Sequence, residues 1–314
     1  MLRFVLKRIL LAVVSVWAIA TVTFFIAYLA PGDPALLRYG EHSTPQAIAA
    51  WRHLHGLDLP PMVRYSRFLT ALVLHGDLGR SFLTDEPVAH FLARGFPVTA
   101  LVAVVSMLWA MLAGLAVGII AALRPGSWID RTLMAATLAG VSIPNFVLAP
   151  ILIGLFALKL GWLPVTSTEF PPGWWVLPTL VLAARPAALI GRMTRTSMLE
   201  TLKQDFIRTA RAKGLGPARV LFLHALKNAF MPVLTTAGVS FGYLLSGSFV
   251  VETIFAIPGV GQASVESMTT RDYTLIQGTT ILLATIFVVV NLAIDLLYAA
   301  LDPRVRVTLS EAAT

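Results

Sequence analysis

Six stretches of 15 or more residues contain no Asp, Glu, Lys or Arg: 9–32, 95–123, 132–158, 170–184, 228–251 and 273–294. A helix needs about 20 largely apolar residues to cross the hydrocarbon core of a bilayer. Five stretches reach that length unaided, and the fourth continues apolar past Arg185 to Ile190. The pattern predicts an all-α membrane protein with six transmembrane helices. Composition agrees. Of 314 residues, 57% are hydrophobic and 13% charged, against about 25% charged in a soluble domain. Too few polar groups remain to cover a soluble surface, which excludes a soluble enzyme, a disordered chain and a fibrous repeat. Cysteine is absent, so neither a disulfide framework nor a thiolate metal site exists.

Lys7 and Arg8 before the first apolar run give it the flavour of a secretory signal. Its apolar part runs to about Ala30, longer than the roughly 7–15 residues of a signal core, so a retained helix is expected. Lys and Arg placement sets the orientation. With the N-terminus inside, segments 1–8, 124–131, 191–227 and 302–314 hold 15 basic and 5 acidic residues. Segments 31–94, 159–169 and 252–272 then hold 8 basic and 10 acidic. Arg185 and Asp295 lie within spans and cancel. The net charge of +8 is therefore an orientation signal, with both termini cytoplasmic, rather than a nucleic-acid footprint.

The expected organisation is residues 1–30 as N-terminal tail and first span, 31–94 as an outer loop subdomain, and 95–314 as a core of five spans. Thr44-Pro45 reads as an N-cap followed by proline at the first helical position. The inner loop at 191–228 is longer than a connection requires. Ser197 with Glu200 fits a capping box, and Leu199, Leu202, Phe206 and Ala210 recur at helical spacing. Gly214 offers a C-terminal cap, and Gly216-Pro217 starts a second helix. Arg208, Arg211, Lys213 and Arg219 surround this glycine corner. Such charges could simply sit at anionic headgroups, but a helical corner also suits rigid contact with another protein.

The run Phe206-Ile207-Arg208-Thr209-Ala210-Arg211-Ala212-Lys213-Gly214-Leu215, with His224-Ala225-Leu226-Lys227-Asn228-Ala229 and Pro232, resembles the EAA loop of bacterial ABC-importer permeases. More narrowly it resembles the dipeptide, oligopeptide and nickel branch, and the first of the two permeases in such an importer. Other segments match in order: Ala30-Pro31-Gly32-Asp33-Pro34, Gly76 to Phe82, Gly140 to Phe146 with Asn145, Val251 to Phe255, Ile257 to Gly261, and Asp302 to Arg306. Arg208 stands where other importers carry the loop's glutamate, Thr209 replaces the first alanine, and Lys227 replaces the first proline.

The resemblance implies the type I ABC-importer permease (MetI-like) architecture with its EAA loop, in the bacterial inner membrane. It implies an ATPase-coupling helix over Arg208, Thr209, Ala210, Arg211, Ala212, Lys213, Gly214 and Leu215. It also implies a second homologous permease in a heterodimer, one or two kinds of ABC ATPase subunit, and an extracytoplasmic peptide-binding protein. ATP and magnesium would be bound by the ATPases, and this chain would hold no cofactor. The implied cargo is di- or oligopeptides, with nickel chelates, haem and glutathione as alternatives.

Other motifs do not carry chemistry. Gly238-Val239-Ser240-Phe241-Gly242 spells a nucleophile elbow, but that elbow needs a strand–turn–helix context, and no histidine follows His224. Gly238, Gly242 and Ser246 recur every four residues, as Gly114 and Gly118 do. Small stripes let helices approach closely. Asn145, Gly238, Ser240, Gly242 and Ser246 are thus candidates for helix packing or pore lining. No Gly-Lys pair exists, so the chain lacks a P-loop. His53-Leu54-His55 lacks a supporting carboxylate pattern, so no metal site is expected. Ile257-Pro258-Gly259-Val260-Gly261 reads as a hairpin dipping toward the bilayer, an outer-gate element. Arg185 and Asp295 are costly inside a membrane and would snorkel, pair with each other, or serve function. The rival class is a secondary transporter or channel acting without ATPase partners. It needs a membrane-centre ion site, and Asp295 is not central.

Overall fold

In the computed structural model residues 2–29, 34–39, 44–167, 169–246 and 248–301 are described, side chains excepted at a few of them. The Ala30–Asp33 and Asp302–Arg306 segments and the side chain of Ser246 lie outside that set. The described residues form helices α1 (Leu2–Leu29), α2 (Pro34–Tyr39), α3 (Pro45–Leu54), α4 (Pro61–Thr70), α5 (Val88–Leu123), α6 (Trp128–Ser142) and α7 (Asn145–Leu152). They continue with α8 (Val176–Leu202), α9 (Asp205–Ala212), α10 (Pro217–Arg219), α11 (Lys227–Ser246), α12 (Phe249–Ile254), α13 (Val260–Thr269) and α14 (Tyr273–Leu301). Wider π-turns extend α4 over Ala71–His75, extend α7 over Ile153–Lys159, and join α10 to α11 over Val220–Leu226.

Among the described residues five helical runs are long and apolar enough to cross a membrane, and α6 with α7 and its extension passes the same test as a pair bent by 107° at the break. Sequence explains the bend. Pro144 forces Ile143 out of the helical region, to ψ 117°. Pro144 then accepts from Val147 and Leu148 as the second half begins.

Two compact units divide the chain, residues 1–99 with 257–314 and residues 100–256. In the first, α1 packs along α14. Phe24 and Phe25 on α1 meet Tyr65 and Phe68 on α4 at ring-centroid distances of 5.4 Å. Thr44 caps α3 as expected, its Oγ1 accepting from Ala47 N. Buried Asp272 stitches the segment before α5 to the start of α14. It accepts from Ser81 Oγ at 2.5 Å, Phe82 N at 3.3 Å and Leu275 N at 3.2 Å. Asp295 is paired with Arg8 at 2.6 Å, a different partner from the one the sequence offered. Each charge on these helices thereby neutralises the other inside an apolar run.

In the second unit α8 packs against both α6 and α11. Gly114 and Gly118 on α5 are where α8 comes closest. A Cβ on Gly114 would lie 2.8 Å from the Ala187 carbonyl, and one on Gly118 2.6 Å from that of Gly191. Only a residue without a side chain allows that approach. A second tie joins α6 to α8. Arg195 grips buried Asp130 through Nε at 2.6 Å and Nη2 at 2.7 Å. Asp130 also accepts from Gly126 N at 2.9 Å, while Ser127 caps α6.

The expected capping box at Ser197 does not form. Helix α8 runs through it to Leu202, with Ser197 buried on its packed face. The helix start falls instead at Gln204, whose backbone is extended.

Candidate functional site

The break at Lys203–Gln204 resets the helical phase, and this decides which side chains of α9 are available. Ile207 and Ala210, three apart, turn inward. They join Ala122, Met198, Val220, Ala225 and Ala229 in one apolar cluster, flanked by Leu199, Leu202 and Leu215. Phe206, expected on the packed face, is exposed. So are Arg208, Thr209, Arg211, Ala212 and Lys213. Arg208 reaches Asp205 at 3.4 Å, but with the two side chains 80% and 95% exposed the pair is weak. The arginine is therefore available to a partner.

The helix then ends as the sequence predicts. Gly214 takes φ +77°, and its N–H donates to the Arg211 carbonyl at 2.9 Å. Leu215 N returns to the Ala210 carbonyl at 3.3 Å. Pro217 starts α10 on the far side of the corner. The result is a short cationic helix anchored from beneath by apolar contacts and open above.

A second feature lies among α7, α8 and α11. A cavity of about 620 Å³ is lined by Asn145, Leu182, Arg185, Thr236, Ser240 and Tyr243, among others. The Arg185 guanidinium makes no ion pair or hydrogen bond among the described residues. Ser240 and Thr236 spend their hydroxyls on carbonyls four residues back, at 2.7 and 3.0 Å, so their oxygens remain acceptors at the wall. Of the packing and pore candidates, Asn145 and Ser240 meet here. Gly238 and Gly242 flank Ser240 on α11. The unbroken helix through this segment leaves no strand–turn–helix for a nucleophile elbow. Thr235, Thr236 and Tyr243 were not singled out from sequence. A signal existed: Thr236, Ser240 and Tyr243 are polar at i, i+4 and i+7 in an otherwise apolar run.

The Ile257–Gly261 segment belongs to the first unit and is not a hairpin. Gly259 ends an extended turn, and Val260 and Gly261 open α13. Val260 N, an orphan donor of the first helical turn, is satisfied by Thr99 Oγ1 at 2.9 Å. A Cβ on Gly95 would press on the Gly259–Val260 backbone at 3.1 Å. Ile257 and Val260 are fully buried. A short helix seated on α5 thus follows the turn. The two loop histidines are held separately: His53 Nδ1 bonds Asp58 at 2.7 Å, and His55 Nδ1 bonds the Trp51 carbonyl at 2.9 Å.

Spans packed through small residues, a cavity among α7, α8 and α11 with one cation on its wall, and an exposed basic helix–glycine corner fit a polytopic membrane subunit. Comparison with known proteins makes the class specific. Residues 114–307 match the family described as binding-protein-dependent transport system inner membrane component. Residues 1–103 match the N-terminal component of the same transport systems. The chain is 41% identical over 308 residues to the glutathione transport system permease protein GsiC of Salmonella paratyphi A, covering 98% of this chain and 99% of that one. It is 40% identical over 313 residues to a putative peptide transport system permease protein of Brucella abortus, at 98% and 99% coverage. Among solved structures, an inward-facing methionine ABC transporter aligns with TM-score 0.57 at 22% identity, covering 68% of this chain and 96% of that one. An amino acid ABC transporter solved with histidines aligns at 0.51 and 18%, covering 69% and 94%. These two speak for the fold, which is that of the type I importer permeases.

The chain belongs to the binding-protein-dependent transport system inner membrane component family, as a multi-pass permease subunit of an ABC importer. Such a subunit works with ABC ATPases and a solute-binding protein.

Proposed function

We propose that this chain is one half of the translocation pathway of a di- or oligopeptide importer, paired with a second homologous permease in a heterodimer. Both termini and the α9 corner face the cytoplasm, as the 15 basic and 5 acidic residues of those segments favour. Arg208 to Leu215 dock in a cleft on the ATPase, whose closure moves the spans between two discrete arrangements. The observation that carries this reading is the corner itself: Ile207 and Ala210 fix its underside while every charged group stays outside. A rigid lever needs that division. ATP and magnesium act on the partner chains, and this chain conducts rather than catalyses.

The cavity beside Arg185 forms part of the cargo path, with Asn145 and Ser240 on its wall. Ile257 to Gly261 belong to the outer gate, and residues 31–94 receive the binding protein. Peptides and glutathione are both chains of amide-linked residues, and the names of the two relatives above point to that cargo class. The test is uptake by the complete complex in proteoliposomes. ATP-dependent accumulation of a labelled dipeptide, competed by short peptides or glutathione but not by haem or nickel chelates, is expected. Competition by haem or nickel chelates alone overturns the cargo assignment.

A further inference from the structure

The first unit holds a cavity of about 390 Å³, separate from the one beside Arg185. Its wall includes Tyr28 of α1, Arg64 of α4, Tyr273 and Gln277 of α14, and Arg52 and Asp58 around the end of α3. The volume falls in the range of small-ligand pockets, and two observations describe its chemistry. The Arg64 guanidinium is half-buried and stands 5.3 Å from the Tyr28 ring centroid. It makes no ion pair among the described residues. Asp58, the acidic group on the wall, is already engaged by His53 at 2.7 Å, a hydrogen bond that holds its carboxyl below the usual range.

Buried donors are almost always paired, and a half-buried cation resting on an aromatic face lacks its natural counter-charge. Burial already works against the charged form of Arg64. The wall thus offers a guanidinium fork without a counter-charge. A planar carboxylate takes two parallel bonds from a guanidinium. The Tyr28 and Tyr273 rings on the same wall give an apolar surface for the carbon skeleton that carries it.

We propose that this cavity is a binding site for a small carboxylate-bearing solute, the C-terminus of a short peptide, held by Arg64. The choice of a peptide as carrier rests on the importer reading. The site itself lies in the first unit and shares no residue with the Arg185 cavity.

The chain has no cysteine, so Leu57→Cys at the cavity wall gives it a single attachment point for a trifluoroethylthiol label. Fluorine NMR of the labelled, complete complex in nanodiscs then follows titrations with dialanine and dialanine amide. The expected result is a saturable shift with dialanine, and at least tenfold more amide needed for the same response. Arg64→Gln removes that difference, and Arg64→Lys, which keeps the charge but not the fork, reduces it. Equal curves for acid and amide, no shift with either, or discrimination that survives Arg64→Gln overturns the proposal. So does inorganic phosphate competing as well as the acid. A shift driven by the solute-binding protein through Arg64, with dialanine silent, also overturns it and assigns the carboxylate to that protein. ATP-driven uptake by the unlabelled complex is measured alongside. Its absence sinks the importer reading, whereas its presence with a flat dialanine titration sinks only this site.

Discussion

At Gly214 a built Cβ meets no atom within 4 Å, so packing does not demand glycine there. The backbone does, since φ is +77°. A non-glycine residue in that conformation costs about 1–2 kcal/mol, and a β-branched one more. Gly214→Val is therefore expected to insert normally but to lose ATP-driven uptake, because the corner opens instead of the fold failing. Membrane-fraction immunoblots and proteoliposome uptake check this, and normal uptake would count against the corner's role. Arg185 makes the complementary case. Its guanidinium holds no partner among the described residues, so Arg185→Met should leave the melting temperature of the purified complex unchanged while lowering uptake severalfold. A large drop in melting temperature with uptake intact would make Arg185 structural. Gly214 was legible in sequence because a glycine after a helical run has few other uses. The role of Arg185 was not, since snorkelling, pairing and lining a cavity all look alike in one dimension.

Helix α8 is the element that organises the second unit, and two contacts set its position. The Asp130–Arg195 pair is bidentate and its carboxylate is buried. Removing one partner of such a pair leaves an uncompensated charge. Arg195→Met should therefore lower the thermal stability of the detergent-purified complex by several degrees, whereas Arg195→Met with Asp130→Leu should recover part of it. No recovery would mean that the pair does more than neutralise. The close approach at Gly118 is less forgiving. A Cβ there would fall 2.4 Å from Thr194 Cβ and 2.6 Å from a backbone carbonyl, so even Gly118→Ala should reduce folded yield. Gly216→Ala, with open space around its Cβ, is the matched substitution expected to be silent. The small-residue spacing announced this packing. The Asp130–Arg195 pair was not legible, because its partners are 65 residues apart. The break between α8 and α9 was not legible either, and it resets the helical phase, so Phe206 is exposed where Ile207 is buried.

For the whole molecule, runs free of charge located the five apolar helices and the bent α6–α7 pair among the described residues, because a bilayer imposes a length and a polarity that few residues can evade. The architecture of residues 44–94 was much less legible. It depends on distant ties such as Ser81 to Asp272, and no local pattern encodes them. Orientation is a separate expectation, open to the same cysteine-free background. Single cysteines at Arg208 and at Arg67 should react with an impermeant maleimide from opposite sides in sealed vesicles, Arg208 from the cytoplasmic side. Labelling of both from one side would refute the proposed topology.

The central claim is that this permease moves cargo only when an ATPase acts through the α9 corner. Uptake of a labelled dipeptide into proteoliposomes, with binding protein outside and ATP within, tests it most directly. The complete complex is compared with this chain alone and with a complex carrying Arg208→Glu and Arg211→Glu. The account predicts ATP-dependent accumulation by the complete complex, none by the lone chain, and at least a tenfold loss in the charge-reversed complex with ATPase subunits still active. Equal accumulation by the lone chain, or by the charge-reversed complex, would contradict it.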